Sequence, residues 1–330
     1  MARIAYCTPG LGPCGGVRVI VEHVNRLAAR GHDVVLVASR PESPHWIKVD
    51  VPIIPIQALQ EAKLLDAVVA TGFQTVEWSL QIPARRRYYF VQMMEYTFFS
   101  QGSNGWQKAR DTYQLAETRG FRVITIAEWL QRALYNGWRI DADIVPNGVN
   151  QEQFYPDRPA GRANAILVEG DDRNQAKDVD HVSWRVALEL RRLYGVELWG
   201  YSAINHPFVP EMDRHVLVPT TEQMRQMYSR CSFLLKASKY EGRACAPVEA
   251  MSCGTTTVRG IMEGDDDLLD GVNCLLTGYN YDDVLAAAKR LMEGQLLQKF
   301  LERGCLQYAK QHLQWDDKID ALEKIYGMLT

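Results

Sequence analysis

Short runs of apolar, often β-branched residues alternate with longer amphipathic stretches along this whole chain, and that alternation leaves few folds open. Ile4 to Cys7, Val34 to Ala38, Ala67 to Ala70, Tyr88 to Gln92, Val123 to Ile126 and Asp143 to Val145 have the length and composition of strands. Helical patterns lie between them: Val17 to Arg30, which Gly31 ends, then Trp106 to Arg119 and Glu128 to Asn136. The run Val34 to Ala38 has no polar interruption, which suits a parallel strand covered on both faces. Strand, helix and strand in regular succession predict a doubly wound α/β sheet.

The pattern then stops and starts again. Tyr155-Pro156-Asp157-Arg158-Pro159-Ala160-Gly161 is rich in Pro, Gly and charge, as a linker is. Beyond it, Ala165 to Val168, Val196 to Trp199, His215 to Val218, Phe233 to Lys236 and Thr256 to Val258 are predicted strands. Val179 to Tyr194, Thr221 to Ser229, Ala246 to Ser252 and Tyr281 to Glu293 are predicted helices. At 330 residues the chain is long enough for about two such domains. Two α/β units joined once are expected to leave a cleft with ligands at the carboxyl ends of the strands.

Composition narrows the function classes. Hydrophobic residues make up 47%, charged residues 23%, and the net charge is −3, so no global field points to nucleic acid. Seven scattered cysteines without a CxxC pair argue against a disulfide framework or a structural zinc, and for reduced thiols in a cytoplasmic protein. No apolar stretch reaches the roughly 18 residues that span a bilayer. The opening Met1 to Pro9 is broken too early for a signal peptide and reads as a first buried strand. The histidines show no ligand spacing, so no metal is assigned.

Two segments carry chemistry. Gly10-Leu11-Gly12-Pro13-Cys14-Gly15-Gly16 joins the first strand to the first helix. Glycines there admit an anion to the backbone, and the helix start offers unpaired N–H groups. The Gly10, Gly12, Gly15 spacing also fits a dinucleotide fingerprint, yet the second strand ends in Ser39-Arg40 without the expected acid. The bland alternative is a turn that needs φ > 0. The second segment is "SKYEGRACAPVEAMSCG", Ser238 to Gly254. It places Glu241 in a loop and Glu249 one turn into a helix. Ionised carboxylates so placed suit a polyhydroxylated ligand, and the helix start suits a diphosphate. Alternatively Glu249 serves its own helix dipole and Glu241 is solvated.

Glu241 and Glu249, eight positions apart, resemble the paired-glutamate signature (E-x7-E) of the retaining glycosyltransferases of family 4. "DIVPNGVNQEQFYPD" is similar to that family's crossing into the linker, and "LLDGVNCLL" to its Asp-Gly-x-Asn turn. "LQWDDKIDALEKIYGML" is similar to its closing helix, which returns to the first domain. "YYFVQMMEY" is loosely similar to polysaccharide and rhamnosyl-type members. The second half matches almost throughout. The first half matches mainly in the glycine loop, its helix and the strands after Phe121. The resemblance implies the GT-B fold, two Rossmann-like domains facing across a cleft. It places residues 1–157 on the acceptor side and 158–312 on the donor side, with helix 313–330 packing back on the first.

Roles carry over residue by residue. The resemblance gives Glu249 the ribose hydroxyls and Glu241 the donor sugar. The amides from Arg243 through Ala244 and Cys245 to Ala246 are to meet the diphosphate, with Gly15 and Gly16 facing it from the other half. Arg173 and Lys177 in "VEGDDRNQAKDVD" match the basic pair that neutralises the departing diphosphate, at a shorter spacing and beside Asp171 and Asp172. Where the family has Gly-Phe-Gly after its first glutamate, this chain has Gly242-Arg243-Ala244. The family's first-domain histidine has no counterpart. Gln92, Glu95 and Tyr96 are acceptor-side candidates. Arg85-Arg86-Arg87 reads as a solvated face ahead of a strand, and Glu263-Gly264-Asp265-Asp266-Asp267 as an acidic turn rather than a Mg²⁺ site.

The expectation is therefore transfer of a hexosyl group from a nucleoside diphosphate sugar to a hydroxyl acceptor, with retention and without metal. The donor is the substrate and no separate cofactor is called for. The acceptor is a glycan, a lipid-linked or a small molecule, in the cytoplasm, with contact to a membrane's inner face left open. The rivals are an NADP-dependent oxidoreductase using Arg40, a silent homologue that binds glycans or a partner, and a sugar-nucleotide epimerase.

Overall fold

A computed structural model describes residues 1–60, 64–158, 161–169, 181–204 and 209–328. The chain divides into two compact units, Met1–Asn147 with Asp316–Thr330, and Gly148–Trp315. In chain order the first part holds β1 (Arg3–Thr8), α1 (Gly15–Ala29), β2 (Asp33–Ala38), β3 (Ile53–Ile54), α2 (Gln57–Gln60), β4 (Leu65–Ala70), α3 (Phe73–Leu80) and β5 (Ala84–Val91). It continues with α4 (Asn104–Thr118), β6 (Arg122–Thr125), α5 (Glu128–Trp138) and β7 (Asp143–Ile144). The second part holds β8 (Ala165–Glu169), α6 (Val182–Tyr194), β9 (Glu197–Ser202), β10 (Arg214–Leu217), α7 (Thr221–Arg230), β11 (Leu234–Leu235) and α8 (Cys245–Ser252). β12 (Thr257–Gly260), β13 (Cys274–Thr277), α9 (Tyr281–Glu293), α10 (Gln295–His312) and α11 (Asp316–Ile325) complete it.

In the first unit the strand order is β3-β2-β1-β4-β5-β6-β7, all parallel. β1 is buried from Ile4 to Thr8, because helices cover both faces of a parallel sheet. Arg85, Arg86 and Arg87 lie inside β5 rather than ahead of it. The strand tolerates them because they find partners. Arg87 Nη2 donates to the Ile82 carbonyl at 3.0 Å, Arg85 lies 3.7 Å from Asp66, and Arg86 donates to the Tyr326 carbonyl.

α11 belongs to this unit. The Tyr6 and Tyr326 hydroxyls share a hydrogen bond of 2.6 Å in the interior. Arg30 Nη1 reaches Asp320 at 2.5 Å and Glu323 at 2.6 Å, and the other Glu323 oxygen meets His32 Nε2 at 2.8 Å. An amphipathic helix whose buried large apolar groups are Ile319 and Leu322, with Tyr326 just past its end, thus gains a charged clamp at its edge.

The second unit has the order β10-β9-β8-β11-β12-β13, again all parallel. Leu167 joins one apolar cluster with Trp199, Met227 and Met251; Ile166 and Val168 join another with Leu190, Leu198 and Leu291. The unbroken run in β8 is therefore the sequence of a strand with a core on each side. α9 presents Val284, Ala287, Ala288 and Leu291 inward at helical spacing, and Asn280 caps it by accepting from Asp283 N at 2.9 Å. Such a cap stabilises by about 1 kcal/mol.

The motifs quoted from the sequence have local causes. In Asn147-Gly148-Val149, a Cβ on Gly148 would lie 2.8 Å from the Trp315 ring, so only glycine fits. In Asp270 to Leu276, Asn273 Oδ1 accepts from Leu269 N at 2.8 Å and Asp270 Oδ1 from Leu276 N at 2.9 Å. This turn leads straight into strand β13, where the sequence pattern indicated only a turn.

Candidate functional site

A doubly wound sheet has one place where neighbouring strands send their connections to opposite sides, and ligands bind outside the carboxyl ends there. In the second unit it lies between β8 and β11. Glu169 ends β8, and Lys236 follows β11 directly. The Lys236 ammonium is buried, pairs with Glu169, and lies 3.1 Å from Glu241 Oε1. Glu241 is itself buried in the loop that precedes α8.

The local sequence leaves the start of α8 open. Its N-cap, Ala244, is extended and has no oxygen with which to cap, and the first turn holds no acid. A polar N-cap side chain would satisfy one of the first N–H groups; alanine offers no such side chain. Cys245 and Ala246 are small, so approach is not blocked by bulk. One turn on, Glu249 is buried, and its Oε2 accepts from the Tyr228 hydroxyl at 3.1 Å. Tyr228 in turn meets the Tyr201 hydroxyl at 3.0 Å. Burial holds the Tyr228 phenol well above its ordinary pKa, so it stays a donor.

The acidic turn closes over this loop. Arg243 makes a two-pronged pair with Asp267, one prong at 2.5 Å, and Tyr308 donates to Asp267 at 3.1 Å. Arg259, fully buried, lies 3.2 Å from Asp265. Desolvation pushes Asp265 up to about 6 despite that arginine. Gly264 has φ +86°, and a Cβ there would strike the Gly242 carbonyl oxygen and come within 3.0 Å of that of Glu241. The turn and the Glu241 loop are thus packed backbone to backbone. Asp265 and Asp267 each serve an arginine of this unit.

In the first unit the corresponding place lies between β1 and β4. The loop from Gly10 to Gly16 does not need the left-handed conformation: none of its glycines has positive φ. A Cβ on Gly10 or Gly12 meets nothing within 4 Å, so these glycines leave open space rather than permit a strained turn. Trp46 Nε1 pins the loop by donating to Leu11 O at 2.9 Å. α1 starts at Gly15 behind Cys14, which supplies no side-chain cap, and has no acid in its first turn.

Of the acceptor-side candidates, Gln92 Nε2 donates to the Gly16 carbonyl at 3.1 Å, which ties it to the glycine loop. Glu95 accepts from Phe73 N at 3.1 Å and from the Tyr89 hydroxyl, so its carboxyl group sits at the start of α3. Desolvation raises it to about 7, against the lowering effect of those two donors. Tyr96 packs with Trp106 and Trp138 around the guanidinium of Arg110, which lies 4.6 to 5.3 Å from the three ring centres. Arg173 and Lys177 lie outside the described residues.

Sequence reasoning missed Lys236, Glu169, Tyr228 and Asp267. A lysine at the end of a fully apolar run, Phe233 to Leu235, was the available signal for the first.

No known family model matches the chain. Over 241 residues, 68% of this chain and 64% of the relative, it is 23% identical to an uncharacterized glycosyltransferase of Methanocaldococcus jannaschii. Among solved structures it is similar to sucrose-phosphate synthase from Thermosynechococcus elongatus, with a TM-score of 0.77 at 16% identity, covering 100% of this chain and 99% of that one. Anabaena HepE in complex with UDP-glucose gives a TM-score of 0.80 at 14% identity, covering 100% of both chains. WaaG, a glycosyltransferase involved in lipopolysaccharide biosynthesis, gives 0.76 at 13% identity, with 99% of both covered. The chain is similar in sequence to a glycosyltransferase, and its two parallel-sheet α/β units have the GT-B fold of these enzymes.

Proposed function

We propose that this chain is a metal-independent, retaining glycosyltransferase of family 4 type, moving a hexosyl group from a nucleoside diphosphate sugar to a hydroxyl acceptor. The observation that carries the reading is the pair of buried carboxylates, Glu241 and Glu249, before and within α8, whose first N–H groups no side chain caps. Glu241 already meets Lys236 and Glu249 the Tyr228 hydroxyl, and an ionised carboxylate has about four lone-pair sites, so each keeps acceptor capacity for the hydroxyl groups of a hexose and a ribose. Glu249 takes the ribose, Glu241 the sugar, and the amides from Arg243 to Ala246 the diphosphate.

Gly15 and Gly16, with the uncapped start of α1, take part in phosphate binding. Arg173 and Lys177 neutralise the departing diphosphate; fixed cations away from water stabilise that charge without reorganising. No step needs an enzyme nucleophile, because the leaving phosphate oxygen takes the acceptor's proton while the glycosidic bond forms on the same face. Positioning and electrostatics then carry the catalysis. Gln92, Glu95 and Tyr96 lie on the acceptor side, and the acceptor is a glycan, a lipid-linked or a small molecule in the cytoplasm. Among the described residues no helix is long and apolar enough to cross a membrane. The UDP-glucose complex of the Anabaena neighbour supports the donor class.

A thermal-shift panel of UDP-, GDP-, dTDP- and ADP-sugars, with NADPH as control, tests the reading. One nucleotide sugar is expected to stabilise the chain and to be slowly hydrolysed without acceptor. Stabilisation by NADPH alone overturns it. A chelator is expected to leave turnover unchanged; loss of turnover with the fold intact overturns metal independence.

A further inference from the structure

Lys236 is an odd residue at the end of β11. Phe233, Leu234 and Leu235 before it are fully buried, and an aliphatic side chain would finish the run without desolvating a charge. Its backbone is fixed by the sheet, since Lys236 N donates to the Val258 carbonyl at 3.1 Å. Its ammonium pairs with Glu169 and lies 3.1 Å from Glu241 Oε1. Glu169 is fixed as well, because β8 pairs with β11 in register, Val168 against Leu235. Glu241 is different: it stands in a stretch without regular structure. Two of the three charges are thus anchored by strands, and the third is carried by a loop.

We infer that Lys236 is a positioning residue for the transfer, holding the loop-borne carboxylate of Glu241 in place, with Glu169 as the strand-borne counter-charge. The inference rests on the proposed role of Glu241 toward the donor sugar. One ammonium between two acids leaves a net negative charge. Glu169 satisfies the lysine, so Glu241 keeps acceptor capacity for sugar hydroxyls. With Glu241 as its sole acid, the lysine would neutralise the very group that is to receive them. With no lysine, the buried Glu241 and the half-buried Glu169 would repel, and the loop-borne carboxylate would leave.

The test compares Lys236→Met with Lys236→Met/Glu169→Leu in the full-length chain. The donor is whichever nucleotide sugar gives the largest thermal shift in the panel above. The double variant removes the anchored pair together and is expected to keep its melting temperature near that of the wild type. Its kcat is expected to fall roughly a hundredfold, as for a catalytic group misplaced by an ångström, with a much smaller change in the donor KM. A double variant with kcat within about threefold of wild type makes the lysine a mere partner of Glu169 and overturns the inference. Lys236→Arg keeps a cation in reach of both acids and is expected to restore most of kcat. An arginine variant with native melting temperature and a loss as deep as the methionine's also overturns it. A crystal structure of the double variant gives a reading independent of activity: Glu241 is expected to move, and a Glu241 carboxylate found in its original place overturns the positioning role even where no sugar transfer is detected. Absence of transfer by the wild type, with Glu241 displaced in the variant, removes the functional reading alone.

Discussion

The Tyr228 hydroxyl donates to Glu249 Oε2 across 3.1 Å, and both residues are buried. Its single proton is used there, so the Tyr201 hydroxyl at 3.0 Å donates to Tyr228. The chain of three groups ends on a carboxylate that it orients. Tyr228→Phe is expected to cost about 1.5 to 3 kcal/mol of stability, the range for a hydrogen bond to a charged group. It should also weaken nucleotide affinity several-fold, whereas Glu249→Ala should nearly abolish it. Calorimetry with the preferred nucleotide sugar, beside urea unfolding, checks both; a Glu249→Ala variant with unchanged affinity removes Glu249 from the ribose site.

Glu95 gives a pH signature. Its folded pKa is raised to about 7 from the ordinary 4.5, so the folded state holds a proton that the unfolded state has released between those values. Stability from this group is therefore present at low pH and lost as pH rises through about 7. His23, buried and lowered to about 3, works in the opposite sense below about 6.5, so wild-type data alone mix the two. Glu95→Gln isolates the acid. The variant's advantage over wild type should grow from pH 5 to pH 7.5 by an amount on the order of 2 to 3 kcal/mol and then level off. Urea unfolding at a series of pH values checks it, and a pH-independent difference refutes it.

Glu323 joins α11 to both Arg30 and His32. Glu323→Gln leaves Asp320 as the remaining acid for Arg30, so the loss should be smaller than for a fully buried pair, about 1 to 3 kcal/mol. Urea unfolding measures it. A loss below about 0.5 kcal/mol would mean that water replaces the clamp at no cost.

Gly16→Ala separates fold from chemistry. The added Cβ would lie 3.3 Å from Gln92 Nε2, the movable end of a side chain, and alanine is the better helix former. Stability should be equal or slightly higher. Turnover should fall at least tenfold, because the methyl group displaces the Gln92 amide that ties the glycine loop through the Gly16 carbonyl. A variant as active as wild type takes Gly16 out of the site.

The sheets were legible because β8 and β2 are short, β-branched runs apolar on both faces, set between turn residues and longer amphipathic stretches. The acidic pair was legible because both carboxylates lie within one short segment. Lys236 and Glu169 were not: they lie far apart in sequence and meet only because β8 and β11 are neighbours. Asp267 looked like part of an acidic turn, and its arginine partner emerges only when the turn folds back over Gly242. Helix α10 escaped notice because Leu301, Cys305 and Ala309 are its fully buried positions, too narrow a stripe to stand out among polar residues. The basic triplet at 85–87 read as solvated, and Arg85 and Arg86 are exposed, but the carbonyl of Tyr326 that Arg86 reaches comes from a distant segment and leaves no mark in sequence.

Helix α11 has a consequence for how the protein is made. It completes the first unit, yet the roughly 170 residues of Gly148–Trp315 are translated before it. At typical elongation rates of about 5 to 20 residues per second, the nascent chain waits on the order of ten to thirty seconds with Tyr6 and Tyr88 lacking their cover. During that interval the partly built unit is a natural client for a chaperone, and a stop codon ahead of Asp316 would leave it in that condition permanently.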